Sequence, residues 1–358
     1  MILYNPLMAL NMSDYGISIP IEYDNHKMIY NALKTGVLKD IPEALWLRGP
    51  EFFAEIVKDD LLRVHSFDYV ERLFSPDCVE KEVIIAYELV KPDGSFNRWD
   101  PEKLKRPLKD FFSQSLINAG GTYTCCLTAL ELHKKNTGQA GFAFFLGGGN
   151  HHAQKNYGNG FCIINDMVIA LRRLQAENRI KAAWIVDTDA HKGDGTAALT
   201  WGDSSIRTLS IHMERGWPLD APEYDPKTVY DPSVSTDFNP SFTPSDIDIG
   251  IPEGREADYV PRLAEGLSRL EKLLSKPDIA IVVGGVDPYE KDELASTKLL
   301  QLTKEALLER DMLVYDFLQK RHIPTAWITA GGYGARSWEI YFNFLERVLR
   351  EMKRKKEN

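Results

Sequence analysis

The chain has 358 residues, a formal net charge of −9, 44% hydrophobic residues and 27% charged ones. That composition can fill a sizeable core and argues against a broad nucleic-acid surface, because affinity for DNA or RNA rests on neutralising phosphates. Cys78, Cys125, Cys126 and Cys162 form no CxxC pair, which speaks against a disulfide scaffold and for a reducing compartment, the cytoplasm.

In chain order, the opening MILYNPLMALNMSDYG lacks the basic and long apolar parts of a signal peptide, and no later run is apolar enough to span a membrane. The first hundred residues are irregular, and KPDGSFNRWDPEKLKRP (91–107) reads as a long surface loop. FFSQSLINAGGTYTCCLTALEL (111–132) reads as a helix in which Gly120 and Gly121 allow close packing or a break. GFAFFL (141–146) is a strand, and NDMVIALRRLQAEN (165–178) a helix opened by a polar cap. AAWIV (182–186) and RTLSIHM (207–213) are strands, followed by a helix around 256–275. DIAIVVGG (278–285) is a strand, TKLLQLTKEALLERDMLVYDFLQK (297–320) a helix, TAWITAGG (325–332) a strand and 336–354 the last helix. The terminal KRKKEN reads as a frayed, solvated helix end.

Apolar runs without alternation indicate strands buried on both faces. Strand–helix alternation then gives an α/β fold with a single open, mostly parallel sheet flanked by helices on both faces. No linker justifies a cut, so 1–358 reads as one domain.

In such a sheet a ligand sits beyond the carboxyl ends of the strands. Four apolar runs end there in polar or glycine-rich text: GGGNHHA, DTDAHKGDG, GGVDPYEKD and AGGYG. Side chains two apart in an extended segment share a face, so Asp189 and His191 can bind one cation together, and Asp287 supplies a third ligand. A histidine with carboxylates and an open position suits a catalytic Zn²⁺ or a related divalent ion, Fe²⁺ or Co²⁺ included. Lys192 is out of phase with these ligands and reads as packing or surface. His151 and His152, tandem imidazoles after three glycines, suit proton transfer, each oriented by a carboxylate such as Asp187 or Asp194. Tyr333, between glycines, can donate to a developing oxyanion. Asp292 and Glu293 read as solvated loop charges, and His26, His133 and His322 carry no motif.

Five segments together, VHSFDYV (64–70), GGGNHHAQKNYGNGFCIIND (147–166), VDTDAHKGDGT (186–196), GGVDP (284–288) and GGYG (331–334), resemble the histone deacetylase family, within the arginase–deacetylase fold. Their order and spacing match across nearly the whole chain. The resemblance implies zinc on Asp189, His191 and Asp287, with His152 as general base and then acid, held by Asp194. It implies an electrostatic role for His151 with Asp187, and Tyr333 on the acyl carbonyl. It also implies a structural K⁺ on Asp187, Asp189, His191, Ser210 and Ile211. Phe161 and Trp217 would flank the acyl-lysine channel, the Gly160 carbonyl would lie near the substrate amide, and Leu294 would stand where polyamine-selective relatives carry an acidic gatekeeper.

Lys192 replaces a histidine common at its position. IPIEYDNHK departs from the proline-rich, arginine-containing loop many relatives carry at the mouth, and Asp100 is the candidate for a rim residue gripping the substrate backbone. The expected reaction is removal of an acetyl or other acyl group from acyl-lysine in a peptide or protein, or from a small acylated amine such as an acetylpolyamine. A catalytically silent binding module would have lost a ligand, the histidine pair or the tyrosine, and none is lost. A two-manganese arginase-like site would need ligands that Gly149, Asn150 and Lys192 do not supply. Neither the oligomeric state nor the acyl group is legible.

Overall fold

The computed structural model describes residues 1–135, 138–220 and 239–357. Its strands are β1 (Ile2–Leu3), β2 (Tyr15–Ile17), β3 (Leu47–Arg48), β4 (Trp99–Leu104), β5 (Phe142–Phe145), β6 (Ala183–Asp187), β7 (Ile206–Met213), β8 (Ile247–Ile251), β9 (Ile279–Val283) and β10 (Thr325–Ile328). Eight of them form one sheet in the order β3-β1-β5-β10-β9-β6-β7-β8, and every pairing in it is parallel. This is the expected sheet.

Alternate residues of the four central strands, β5, β10, β9 and β6, feed two cores. In β6, Ala183 and Ile185 join one cluster with Ala119, Tyr123 and Leu171, from the helices Asp110–Lys135 and Asp166–Ala176. Trp184 and Val186 join the other, with Leu33, Leu267, Val314 and Phe344 from Asn25–Thr35, Tyr259–Leu273, Lys304–Lys320 and Ser337–Glu357. Burial on both faces is the reason these runs are continuously apolar.

The helix Asp110–Lys135 runs unbroken past its glycines. A Cβ on Gly120 would lie 2.1 Å from the Ala54 carbonyl oxygen, and one on Gly121 2.2 Å from Phe145 Cζ, so the glycines serve close packing. The cap before Asp166–Ala176 is Asn165, whose side chain accepts from the Val168 N–H at 3.1 Å.

Several expectations need correction. Part of the supposed 91–107 loop is β4, paired antiparallel with β2 in a separate sheet. The irregular amino-terminal region adds β1 and β3 to the main sheet, and β8 at Ile247–Ile251, beyond the expected strands, forms its other edge. The helix expected from 297 begins only at Lys304, capped by the Thr303 side chain on the Ala306 N–H. The last helix runs to Glu357, so KRKKEN continues it, with Asn358 and the side chains from 355 onward outside the described residues.

The sheet order decides where chemistry can occur. β5, β10, β9 and β6 are neighbours, and Phe145, Ile328, Val283 and Asp187 lie level across them. The four polar strand ends therefore leave the sheet at one height, side by side.

Candidate metal and proton-transfer site

Asp189, His191 and Asp287 converge just beyond the ends of β6 and β9. They are buried, and one ligand atom from each lies within 4.8 Å of the others. The backbone holds the carboxylates in place. Asp189 Oδ2 accepts the Gly331 N–H at 2.8 Å, and Asp287 Oδ1 accepts the Ala190 N–H at 2.8 Å. His191 turns Nδ1 toward Asp189 Oδ1 at 3.3 Å and Asp287 Oδ2 at 3.1 Å, while its Nε2 lies 3.0 Å from Ser296 Oγ. Carboxylates gathered this far from water are costly without a counter-charge. Two carboxylates and an imidazole converging on one point fit a divalent cation.

The tandem histidines reach the same place from β5. Gly149 lets the loop turn back on the sheet: its φ is +80°, and a Cβ there would lie 2.2 Å from the Thr329 carbonyl oxygen. His151 Nδ1 lies 2.7 Å from Asp187 Oδ2, and His152 Nδ1 lies 2.6 Å from Asp194 Oδ1. Each carboxylate fixes its ring, leaving Nε2 to face the site. The two imidazoles nevertheless differ. For His151, burial opposes charging, but Asp187 and Asp189 outweigh it and the pKa rises to about 9. For His152, burial and the neighbouring His151 charge outweigh Asp194, and the pKa falls to about 4. A cationic imidazole thus stands beside a neutral one.

Tyr333 enters from the end of β10. Burial, then Asp287 and Asp189, push its phenol well above the ordinary value, so it remains a proton-bearing donor. Phe161 lies 6.2 Å from the Tyr333 ring, and Trp217 packs its ring 4.5 Å from that of His152. Between them, Gly160 has a φ of +52°, and a Cβ would fall 2.2 Å from Trp217 Cη2. Phe161 itself has a φ of +67°, uncommon for a residue with a side chain. A cavity of about 220 Å³ runs along His152, Gly160, Phe161, Asp189, His191 and Tyr333.

The residues expected around a potassium ion are also neighbours: Asp187 pairs with Ser210 in β6 and β7, Ile211 follows, and Gly193 N–H points to Ser210 Oγ at 3.4 Å. Leu294 is buried, its N–H bonded to Asp292 Oδ1 at 2.9 Å, and it is not on the cavity wall. Asp100 lies in β4, paired with Lys103 at 2.9 Å, and does not line the cavity.

Of packing and surface, Lys192 takes the first: it is buried, 2.6 Å from Asp248 Oδ2. One reading of a charged residue changes. Asp292 is not solvated: burial, then Asp287, lift its pKa to about 7, and Oδ2 accepts the Tyr333 N–H at 2.7 Å. Glu293 is exposed, as expected, though its Oε1 accepts the Ala335 N–H at 3.2 Å.

Other residues support these side chains from behind. Asp166 accepts the Gly149 and Asn150 N–H groups at 3.2 and 2.7 Å, anchoring the histidine loop. Gln154 Nε2 and Ser241 Oγ donate to the second oxygen of Asp194 at 2.8 and 2.7 Å. His65 bridges the Gln154 carbonyl and the Asn165 N–H. Asp166 and His65 lie inside the motif segments, where their chemistry was visible but their partners were not.

Fold and site together define an α/β protein of the arginase–deacetylase fold with a metal-type centre at the carboxyl edge of its sheet. A family model described as "Histone deacetylase domain" matches residues 22–345. The chain belongs to the histone deacetylase family. It is 33% identical to an uncharacterized protein of Picosynechococcus sp. over 244 residues, 67% of this chain and 70% of that protein. It is 26% identical to Histone deacetylase 2 of Arabidopsis thaliana over 297 residues, 83% of this chain and 66% of that one. With the acetoin utilization protein AcuC of Staphylococcus aureus it shares 27% identity over 285 residues, 79% of this chain and 65% of the relative. The matches thus span about two thirds of these relatives' lengths. Among solved structures, an HDAC homologue from Aquifex aeolicus superposes with a TM-score of 0.66 at 20% identity, covering 96% of this chain and 83% of its own. An HDAC homologue complexed with SAHA gives 0.62 at 22%, covering 89% and 77%.

Proposed function

We propose that this member of the deacetylase family is a zinc-dependent amidohydrolase that removes an acetyl or related acyl group from acyl-lysine in peptides or proteins. One observation carries the reading: the neutral His152, fixed on Asp194, faces the same pocket as the Asp189–His191–Asp287 cluster and the Tyr333 phenol.

A divalent ion held by Asp189, His191 and Asp287 would polarise the acyl carbonyl and acidify water, the chemistry such ions supply in hydrolases. His152, neutral at physiological pH, takes the attacking water's proton at Nε2 while Asp194 stabilises the imidazolium that forms. His152 then returns the proton to the departing amine. His151, already cationic and paired with Asp187, adds positive potential where negative charge develops. Tyr333 donates its O–H to the oxyanion. Phe161, beside the Tyr333 ring, and Trp217, against His152, would hold the aliphatic chain of the substrate, and the Gly160 carbonyl would accept its amide N–H.

Asp187, Asp189, His191, Ser210 and Ile211 are the proposed potassium ligands. We read 1–358 as one catalytic domain acting in the cytoplasm, where four unpaired cysteines are at home. Among the described residues no helix is long and apolar enough to cross a membrane. Glu293, the acid nearest the expected gatekeeper position, bonds the Ala335 N–H and does not line the cavity, which favours acyl-lysine over acetylpolyamines.

The test is acetate release by the zinc-loaded protein from an acetyl-lysine peptide and from N-acetylputrescine, beside His152→Ala and Tyr333→Phe. Peptide turnover that both substitutions abolish supports the proposal. Turnover of acetylputrescine alone replaces the substrate, and acetate from neither refutes deacetylation.

A further inference from the structure

Arg310 is fully buried in the helix Lys304–Lys320, below the site rather than in it. Its Nη1 donates to two backbone carbonyls on adjacent strand ends: Thr188 at 3.0 Å and Gly285 at 2.8 Å. Thr188 lies between Asp187 and Asp189, and Gly285 lies two residues before Asp287. One guanidinium therefore ties together the two chain segments that present the carboxylate ligands. Asp311 fixes it from behind, accepting from Nε at 2.8 Å, and Tyr259 adds a second donor to the Thr188 carbonyl at 3.3 Å.

The gap between the two segments leaves little slack. A Cβ on Gly285 would fall 2.2 Å from Asp189 Oδ2. A small separation of the two strand ends would thus move Asp189 relative to Asp287. A buried arginine is an expensive way to join carbonyls, and Arg310 Nη2 is left without a partner among the described residues. An apolar helix face would pack against this sheet at less cost. The guanidinium also places a permanent positive charge beneath a cluster of carboxylates.

We infer that Arg310 is a positioning residue that sets the spacing of the metal ligands by clamping the Thr188 and Gly285 carbonyls. The inference rests on the reading of Asp189, His191 and Asp287 as metal ligands, and it holds whichever divalent ion they bind. Lysine in its place keeps the charge, but its ammonium turns freely on a flexible stem and has no Nε–H for Asp311 to hold, so the direction of the two donations is no longer fixed. The double substitution R310M/D311L removes the buried pair as a unit, which folded proteins often tolerate, and with it both tethers.

The experiment measures Zn²⁺ affinity by chelator competition, and the Co²⁺ absorption spectrum of the loaded protein, in wild type, R310K and R310M/D311L. Leu318→Ala, a core truncation in the same helix, is the stability control. We expect affinity to fall about 10- to 100-fold in both Arg310 variants, the usual effect of removing support behind metal ligands. The Co²⁺ spectrum should change with it, while Leu318→Ala lowers thermal stability and leaves affinity intact. Folded Arg310 variants with wild-type affinity and spectrum would overturn the inference. A wild type that binds the metal but releases no acetate refutes deacetylation and leaves Arg310 to be judged on affinity. A wild type that binds no divalent ion overturns both.

Discussion

His152 Nδ1 and Asp194 Oδ1 lie 2.6 Å apart, and both side chains are withdrawn from solvent. Gln154 and Ser241 occupy the other carboxylate oxygen, so Asp194 cannot swing away from the imidazole. An imidazole held this firmly presents one nitrogen to the cavity, as the proposed general base requires. His152→Ala should lower kcat by about 10²- to 10⁴-fold, the range for loss of a general acid–base group. Asp194→Asn keeps the shape and loses the charge, so it should fall in the same direction. Steady-state acetate release with metal content matched between variants checks both.

The pH dependence follows from the unequal histidines. Burial first, then the His151 charge, hold His152 at about 4, and only its neutral form can take a proton. The acid limb of kcat/KM should therefore rise through about pH 4 and be level by neutrality. His151→Asn removes a positive neighbour, so the His152 pKa and the acid limb should both move upward. Wild-type and variant pH–rate profiles decide it: a limb that stays in place or moves down contradicts the assignment.

In the proposed reaction Tyr333 differs from the histidines in that its phenol contributes only once negative charge develops on the acyl oxygen. Its hydroxyl stays protonated because burial and the nearby carboxylates disfavour the phenolate. Tyr333→Phe preserves the ring beside Phe161, so KM should change little while kcat falls about 10²- to 10³-fold, as on loss of an oxyanion donor. Metal affinity should be unaltered. A matched rise in KM would point to a substrate-binding role instead.

Much of this centre was legible because strand interiors and strand ends differ so sharply. Phe142–Phe145, Ala183–Asp187, Ile279–Val283 and Thr325–Ile328 are apolar until the sheet edge, and their polar continuations are the site. The two-residue strands Ile2–Leu3 and Leu47–Arg48 were hidden, since so short a segment carries no period and exists only through pairing with its neighbours. Asp292 and Arg310 were misjudged or passed over for a related reason. A charged residue announces burial only through its partners, the Tyr333 N–H for one and two distant carbonyls for the other.

Gly121 tests the packing behind the site. It faces Phe145, the last residue of β5 before the glycine–histidine loop, and a Cβ would come within 2.2 to 2.7 Å of three ring atoms. Gly121→Ala gains helix propensity but overfills the contact, and overpacking of this kind costs about 1–3 kcal/mol. The expected result is a lower midpoint in urea with an unchanged slope. A more stable variant would mean that the Phe145 ring yields without strain.

Lys192 poses the sharpest question of stability, since it lies beside the proposed metal ligand His191 yet serves another partner. Its Nζ is 2.6 Å from Asp248 Oδ2, while His212 Nε2 is 2.7 Å from the other oxygen. Lys192→Met leaves that half-buried carboxylate without its cation, and since breaking a fully buried pair from one side costs about 3–5 kcal/mol, the loss here should reach at most the low end of that range. Burial opposes ionisation of Asp248, but Lys192 and His212 outweigh it and hold the carboxyl below the usual range. The pair's contribution is therefore complete at neutral pH and fades as pH drops below the ordinary aspartate value, about 3.9. The stability gap between wild type and Lys192→Met should be widest near pH 7 and narrow on acidification, when the carboxyl can protonate. Urea denaturation at several pH values reads this directly, and a gap that widens toward acid would refute the ion pair as its source.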